Sequence, residues 1–255
     1  MRKLVIDRAA IKNNLTVIKD RAAGAAIYGV LTGDGQGVGT AALAQLLRDE
    51  GIGRFAVSEV SEAEALRQAG FVDEEILMLR ATTDREELER LVDLNVVCTV
   101  SSVDTGMALN ALAGNRSTVA EAHIQVDTGM GFGGFLVSEP EKLLLAYRSM
   151  PNVALSGVYT QLHAARPNDP QAKRQLEQFQ LALDAIHQAG FETGAVHAAG
   201  SFALLHGLAP ELDGVRAGSA ILGRCRRTRD DGLKTVGFGQ APLTEVRWLP
   251  KGHVL

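Results

Sequence analysis

Short apolar runs alternate with amphipathic stretches along the whole chain. Runs at Ala26–Leu31, Arg54–Ser58, Ile76–Leu79, Val96–Val100, Ala122–Val126, Ala154–Tyr159, Ala195–His197 and Gly214–Arg216 read as buried strands. The gaps carry helical periodicity, as in Arg85-Glu-Glu-Leu-Glu-Arg-Leu-Val92 and Ala172–Ala189. Gly51, Gly70 and Gly190 each follow the last periodic residue of a helix, where a left-handed terminal turn favours glycine. Ser138, with Glu141 three residues on, reads as a capping box for a helix through Tyr147. One unit recurs in outline: Arg67-Gln-Ala-Gly-Phe71 and His187-Gln-Ala-Gly-Phe191 both close a helix and lead toward a strand.

Eight strands joined by mostly helical crossovers predict an α/β fold with a parallel sheet and right-handed connections. Eight is the number that closes a (β/α)8 TIM barrel; a doubly wound open sheet is the competing arrangement. No low-complexity linker interrupts residues 1–232, which read as the barrel. The tail differs, because Val236–Gly239 and Leu243–Leu249 have strand character around Pro242. Residues 233–255 therefore read as the start of a β-rich C-terminal domain.

Composition narrows the class. The 255 residues are 46% hydrophobic and only 5% aromatic, which suits parallel strands built from aliphatic side chains. A net charge of −4 makes no case for nucleic acid or an anionic membrane surface, both of which call for a basic face. Cys98 and Cys225 have neither metal-site spacing nor framework numbers, and no leader or membrane-span pattern is present. The expectation is a soluble cytoplasmic protein.

Barrel chemistry belongs at the C-terminal ends of strands. Four segments sit there. Thr32-Gly-Asp-Gly-Gln-Gly-Val-Gly39 follows the first strand, and its alternating glycines admit a phosphate or make a tight connection. It is no P-loop, lacking Gly-Lys-Ser/Thr, and it fails the dinucleotide fingerprint because Val38 takes the third glycine position. Val126-Asp-Thr-Gly-Met-Gly-Phe-Gly-Gly134 follows the fifth strand; an aspartic protease would need a second such motif facing it. His197-Ala-Ala-Gly-Ser201 turns a strand into a helix, so Ser201 is either an anion ligand or an N-cap. Gly214-Val-Arg-Ala-Gly-Ser-Ala-Ile-Leu-Gly223 offers Arg216 and a Gly218-Ser219 turn, in the loop region where barrels often hold phosphate. His163 and His197 sit at strand ends, Glu59, Asp104 and Asp127 read as capping or core-lining carboxylates, and no metal-ligand spacing is found.

With these residues in view, the chain resembles the alanine racemase family, fold-type III pyridoxal-phosphate enzymes with an N-terminal barrel and a C-terminal β domain. The resemblance runs from Leu4 to His253. Thr32–Gly39 sits where the family has Lys-x-x-x-Tyr-Gly. Gln125-Val-Asp-Thr-Gly-Met-Gly resembles Lys-Val-Asp-Thr-Gly-Met-Gly-Arg, and Gly157-Val-Tyr-Thr-Gln161 resembles Gly-x-Tyr-Thr-His. His197-Ala-Ala-Gly-Ser201 and Val215-Arg-Ala-Gly-Ser219 resemble His-Ala-Ala-Asn-Ser and Val-Arg-x-Gly.

The departures fall on chemistry. The resemblance puts Thr32 in place of the Schiff-base lysine and Gln36 in place of a phosphate-binding tyrosine. Phe132 replaces an arginine at the cofactor's phenolic oxygen, Gln161 a histidine packed on the ring, and Gln125 a lysine that can be carbamylated. The family's catalytic tyrosine lies beyond a Lys-Gly-His block, here Lys251-Gly252-His253 near the last residue. What it retains is an anion cup of Ser201, Gly218 and Ser219, and Arg216, which in the family faces the pyridine nitrogen.

Racemisation needs an amine to hold the cofactor and two acid–base groups on opposite faces of the α-carbon. The expectation is therefore a barrel without racemase turnover that binds pyridoxal phosphate or another phosphorylated small molecule non-covalently. An enzyme of altered chemistry using Thr32, Gln161 and His163 is the second reading. A shortened or engineered racemase with Thr32 standing in for the lysine is the third. Other lysines exist, and Lys12, Lys19, Lys142, Lys173 and Lys234 are expected on helices or in the tail. Because the family completes its pocket at a dimer interface, a homodimer or association with a related racemase subunit is expected.

Overall fold

The computed structural model describes residues 3–163, 169–208, 212–225 and 231–252; His253 lies outside them. Strand β1 (Lys3–Ile6) opens the chain, and the barrel then takes β2 (Ala26–Val30), β3 (Arg54–Val57), β4 (Glu75–Met78), β5 (Cys98–Val100) and β6 (Ala120–Asp127). A two-residue β7 (Phe135–Leu136) follows, and β8 (Val153–Tyr159), β9 (Ala195–Gly200) and β10 (Gly214–Ala217) complete the barrel before β11 (Gly237–Gln240). Around the barrel the order is β4-β3-β2-β10-β9-β8-β6-β5, every pairing parallel. The open edges meet where Leu77 bridges Val97, with Met78 N donating to Val97 O at 2.9 Å and Val97 N to Ile76 O at 2.8 Å. The eight expected strands thus close a TIM barrel rather than an open sheet. No helix among the described residues is long and apolar enough to cross a membrane.

The main core lies between strands and helices, where Leu47, Phe55, Phe71, Ile76, Ile124 and Phe179 are buried. A second cluster, Tyr28, Ala56, Leu77 and Val97, fills the barrel interior. Three helix ends show why glycine stands where it does. Gly51, Gly70 and Gly190 have φ of +82°, +84° and +81°. At each, the next residue's N–H reaches back to a carbonyl five residues earlier: Ile52 to Leu47, Phe71 to Leu66 and Phe191 to Ile186, at 3.0–3.2 Å. This is the Schellman pattern, which satisfies carbonyls the helix leaves free.

Two local expectations are corrected. The helix after β7 is Pro140–Ser149 with Glu139 at its N-cap and no side-chain cap, so Ser138 and Glu141 form no capping box. Pro140, with φ fixed for a first helical position and no N–H to satisfy, moves the start one residue past Ser138. Leu243–Leu249 forms no strand. Leu243 and Val246 are 84% and 82% exposed and Trp248 fully so, because no described element packs against them. The neighbouring apolar run does pair, as β11 antiparallel to β1 with Leu4 opposite Gly239.

Candidate active site

The C-terminal strand ends surround a cavity of about 470 Å³. Its outer wall begins with the glycine-rich turn after β2. Gly33, Asp34, Gly35 and Gln36 occupy the left-handed region in succession, with φ of +71°, +53°, +60° and +54°. Each left-handed non-glycine residue costs roughly 1–2 kcal/mol, so Asp34 and Gln36 must be held. The buried Glu62 carboxylate accepts Asp34 N at 3.0 Å, along with Ser58 N and Glu59 N at 2.9 and 3.1 Å. Asp34 Oδ1 in turn accepts Thr40 N at 3.0 Å and Thr40 Oγ1 at 3.2 Å. Gly35 is required at its position, because a Cβ there would lie 3.0 Å from Thr40 N.

This turn aims Gln36 across the cavity. Its Nε2 donates to Val30 O at 3.3 Å and sits where a Cβ on Gly218 would come within 2.1 Å of it. Gly218 N and Ala220 N, just past β10, both donate to Ser201 Oγ at 3.0 and 3.2 Å. Ser201, Gly218, Ser219 and the Gln36 amide thus meet on one side of the cavity. The Gly218 and Ala220 N–H groups are spent on Ser201 Oγ, so the Ser201 hydroxyl proton, Ser219 and the Gln36 amide are the donors left for a phosphate group.

Arg216 forms the floor. It is 4% exposed. Its Nη1 donates to His197 Nδ1 at 2.5 Å, and its Nη2 to Thr160 O at 2.7 Å and Gln161 Oε1 at 2.9 Å. His197 is stacked between Tyr28 and Tyr159, ring centroids 5.1 and 5.0 Å away, and its Nε2 is 3.0 Å from His123 Nδ1. These side chains come from β2, β6, β8, β9 and β10, so the contacts pass through the barrel interior. Burial first, and Arg216 and Arg54 after it, bring His123 down to about 4. Burial holds His197 well below the usual imidazole range, with Arg216 and His123 adding to it. Burial also lowers Arg216 to about 10, which leaves the guanidinium charged at neutral pH.

Of the residues nominated from sequence, Gln36, Gln161, Ser201, Arg216, Gly218 and Ser219 all line this cavity. Thr32 opens the left-handed turn and is half-buried, but it is not part of the wall. Phe132 is 74% exposed on the loop after β6, also outside it. His163 does line it, while Glu59 and Asp127 hold backbone: Glu59 is a helix N-cap, and Asp127 accepts from Gly129, Met130 and Gly131 N at 2.8–3.1 Å. Sequence reasoning passed over Met130, Phe202 and Gln175. Gln175, 2% exposed, accepts His163 N at 2.8 Å and donates to Gln161 O and Thr128 Oγ1, so it fixes the wall that presents Gln161 and His163.

Among the described residues no lysine lines the cavity. Lys12 and Lys19 lie on the helix Arg8–Ala22 and reach Glu50, Lys142 pairs with Glu139 at 2.9 Å, and Lys173 is on the helix Pro170–Gln188.

A barrel with a phosphate-type cup after its last strand and an arginine on its floor can be compared with known families. The sequence profile described as alanine racemase, N-terminal domain, matches residues 6–225. The chain belongs to the alanine racemase N-terminal domain family. The alanine racemase of Clostridium tetani is 30% identical over 221 residues, covering 86% of this chain and 56% of that protein. The alanine racemase of Carboxydothermus hydrogenoformans is 31% identical over 253 residues, covering 96% and 67%. Among solved structures, Clostridium difficile 630 alanine racemase in complex with cycloserine superposes with a TM-score of 0.84 at 25% identity, covering 92% of this chain and 66% of that one. Bacillus anthracis alanine racemase with bound L-Ala-P gives 0.82 at 26%, covering 92% and 62%. The chain thus spans only about 56% of the length of one curated alanine racemase it matches and 67% of another.

Pyridoxal phosphate, which is named as covalently bound in Bartonella henselae alanine racemase, can be tested against these residues. Its phosphate can draw on Gln36, Ser201 and Ser219 beside the open Gly218 backbone, and Arg216 borders the cavity floor. Its aldehyde meets no lysine among the lining residues.

Proposed function

We propose that this alanine-racemase-like barrel binds a small phosphorylated molecule, pyridoxal phosphate being one, without a covalent link, and that it does not racemise amino acids through a lysine. The single observation behind this reading is a cavity that keeps the phosphate-type cup of Ser201, Gly218 and Ser219 while no described lysine borders it. Pyridoxal phosphate, when bound, supplies an electrophilic aldehyde; using it requires an amine in the wall to capture it and exchange it with substrate. Gln36 adds its amide to the cup, and Gln161 holds Arg216 rather than offering an acid or base, since an amide does not titrate in water. Proton transfer by a positioned group contributes roughly 10²–10⁴-fold to such reactions, and neither Gln36 nor Gln161 can provide it.

The test is gel filtration of the protein with excess pyridoxal phosphate, with a coupled assay for D-alanine formed from L-alanine. The expected result is free-aldehyde absorbance that travels with the protein and no D-alanine above background. Steady racemisation by the purified chain would overturn the proposal.

A further inference from the structure

Gln36 is a left-handed residue other than glycine, with φ of +54°, and a neighbour must hold it there. Glu62 holds the preceding Asp34 but not Gln36. The Gln36 carbonyl instead accepts Arg224 Nη1 at 3.0 Å, a bond between residues 188 positions apart. Arg224 stands on the loop after β10, where its own N–H donates to Ser219 O at 2.8 Å. Gly223 fixes the root of that side chain, because its φ is +64° and a Cβ there would lie 2.0 Å from Lys234 O. The backbone of Arg224 is thus tied to the turn that carries Gly218 and Ser219, and its guanidinium to the turn that carries Gln36.

Among the described residues no carboxylate competes for this guanidinium, and Arg224 does not line the cavity. Its effect on a ligand therefore passes through the turn it holds. A hydrogen bond from an ionised donor is stronger than a neutral one, which suits a backbone kept where side chains rarely allow it. That backbone decides where the Gln36 amide goes. Its Nε2 sits 2.1 Å from the point a Cβ on Gly218 would take.

We propose that Arg224 is a positioning residue for the phosphate cup: it ties the left-handed turn after β2 to the turn after β10 and so keeps the Gln36 amide beside Gly218. The inference rests on the phosphate reading above and adds the residue that joins the two halves of the cup. Without this tie the Gln36 turn relaxes toward ordinary backbone angles and carries its amide away from the ligand.

The experiment is equilibrium dialysis of pyridoxal phosphate against the unaltered chain, Arg224→Met, Arg224→Lys, Gln36→Ala and the Arg224→Met, Gln36→Ala pair. Methionine keeps an apolar stem without donors, and lysine restores a charged donor. The expected result is that Arg224→Met weakens binding about fivefold and Arg224→Lys recovers most of the loss. With Gln36→Ala already present, Arg224→Met should cost nothing further, because the amide it positions is gone. An equal loss in both backgrounds would make Arg224 act on the ligand by its own charge and overturn the proposal, as would unchanged affinity in Arg224→Met. If the unaltered chain binds no pyridoxal phosphate, the phosphate reading fails by itself. Amide exchange at residues 35–39 then decides the tie: faster exchange in Arg224→Met supports it, and unchanged exchange overturns it.

Discussion

Arg216 Nη1 lies 2.5 Å from His197 Nδ1, and a guanidinium only donates. His197 must therefore accept on Nδ1 and carry its proton on Nε2. That nitrogen is 3.0 Å from His123 Nδ1, so His123 accepts there and is protonated on its own Nε2. One charged group thus sets the tautomers of two buried imidazoles and keeps both neutral, in a stack with Tyr28 and Tyr159.

Stability should fall as the solution is acidified through the imidazole range. His123 is held at about 4 in the folded barrel against an ordinary 6.5, so between these values the unfolded chain binds a proton that the native state does not. Stability from this source is present above about pH 6.5 and is lost as pH falls toward about 4, by about 3 kcal/mol for His123. Urea midpoints measured from pH 7 to pH 5 check it. A decline that His123→Gln makes shallower is expected, and a flat profile would contradict neutral buried imidazoles.

Gly157→Ala should destabilise the barrel. A Cβ at this position would lie 2.6 Å from His123 Nε2 and 2.7 Å from two ring carbons, and the ring is pinned by His197 and cannot step aside. Overpacking of this kind costs about 1–3 kcal/mol, readable as a lower thermal midpoint.

Gly218→Ala should act on binding rather than on folding. The added methyl meets Gln36 Nε2 at 2.1 Å, the far end of a flexible side chain, which can swing away. The next contact, Val30 Cβ at 3.1 Å, needs a small adjustment. The cup then loses the Gln36 amide and part of its space. Affinity for pyridoxal phosphate should drop by about tenfold with a thermal midpoint close to the parent's, both measurable by thermal shift and equilibrium dialysis.

Glu62→Ala should loosen the left-handed turn. The carboxylate accepts Asp34 N, Ser58 N and Glu59 N, and hydrogen bonds to a charged group contribute about 1.5–3 kcal/mol each before relaxation. A loss of about 2 kcal/mol in chemical denaturation is expected, with faster amide exchange at residues 33–36.

The barrel was legible in the chain because its signals are local. Apolar runs of strand length marked the eight strands, and a glycine after three of the amphipathic stretches marked the helix ends at Gly51, Gly70 and Gly190. Where a local signal needed a neighbour, the reading failed. Leu243–Leu249 has strand composition but no described partner, and Pro140 outweighed the Ser138 cap by dictating the first helical residue. The cup residues Ser201, Gly218 and Ser219 stood out because they sit at strand ends. Gln175, Glu62 and Tyr28 did not, since a buried amide, carboxylate or phenol looks like any other until residues 28 to 169 positions away arrive beside it. Phe132 stood out as a departure from the family pattern, yet its side chain faces solvent rather than the cavity.

The most direct test is chemical reduction followed by mass spectrometry. The chain is mixed with pyridoxal phosphate, treated with borohydride and weighed intact, then digested to locate any modified residue. An unchanged intact mass is the predicted result, because no described lysine borders the cavity. A stoichiometric adduct fixed on one lysine would contradict the account.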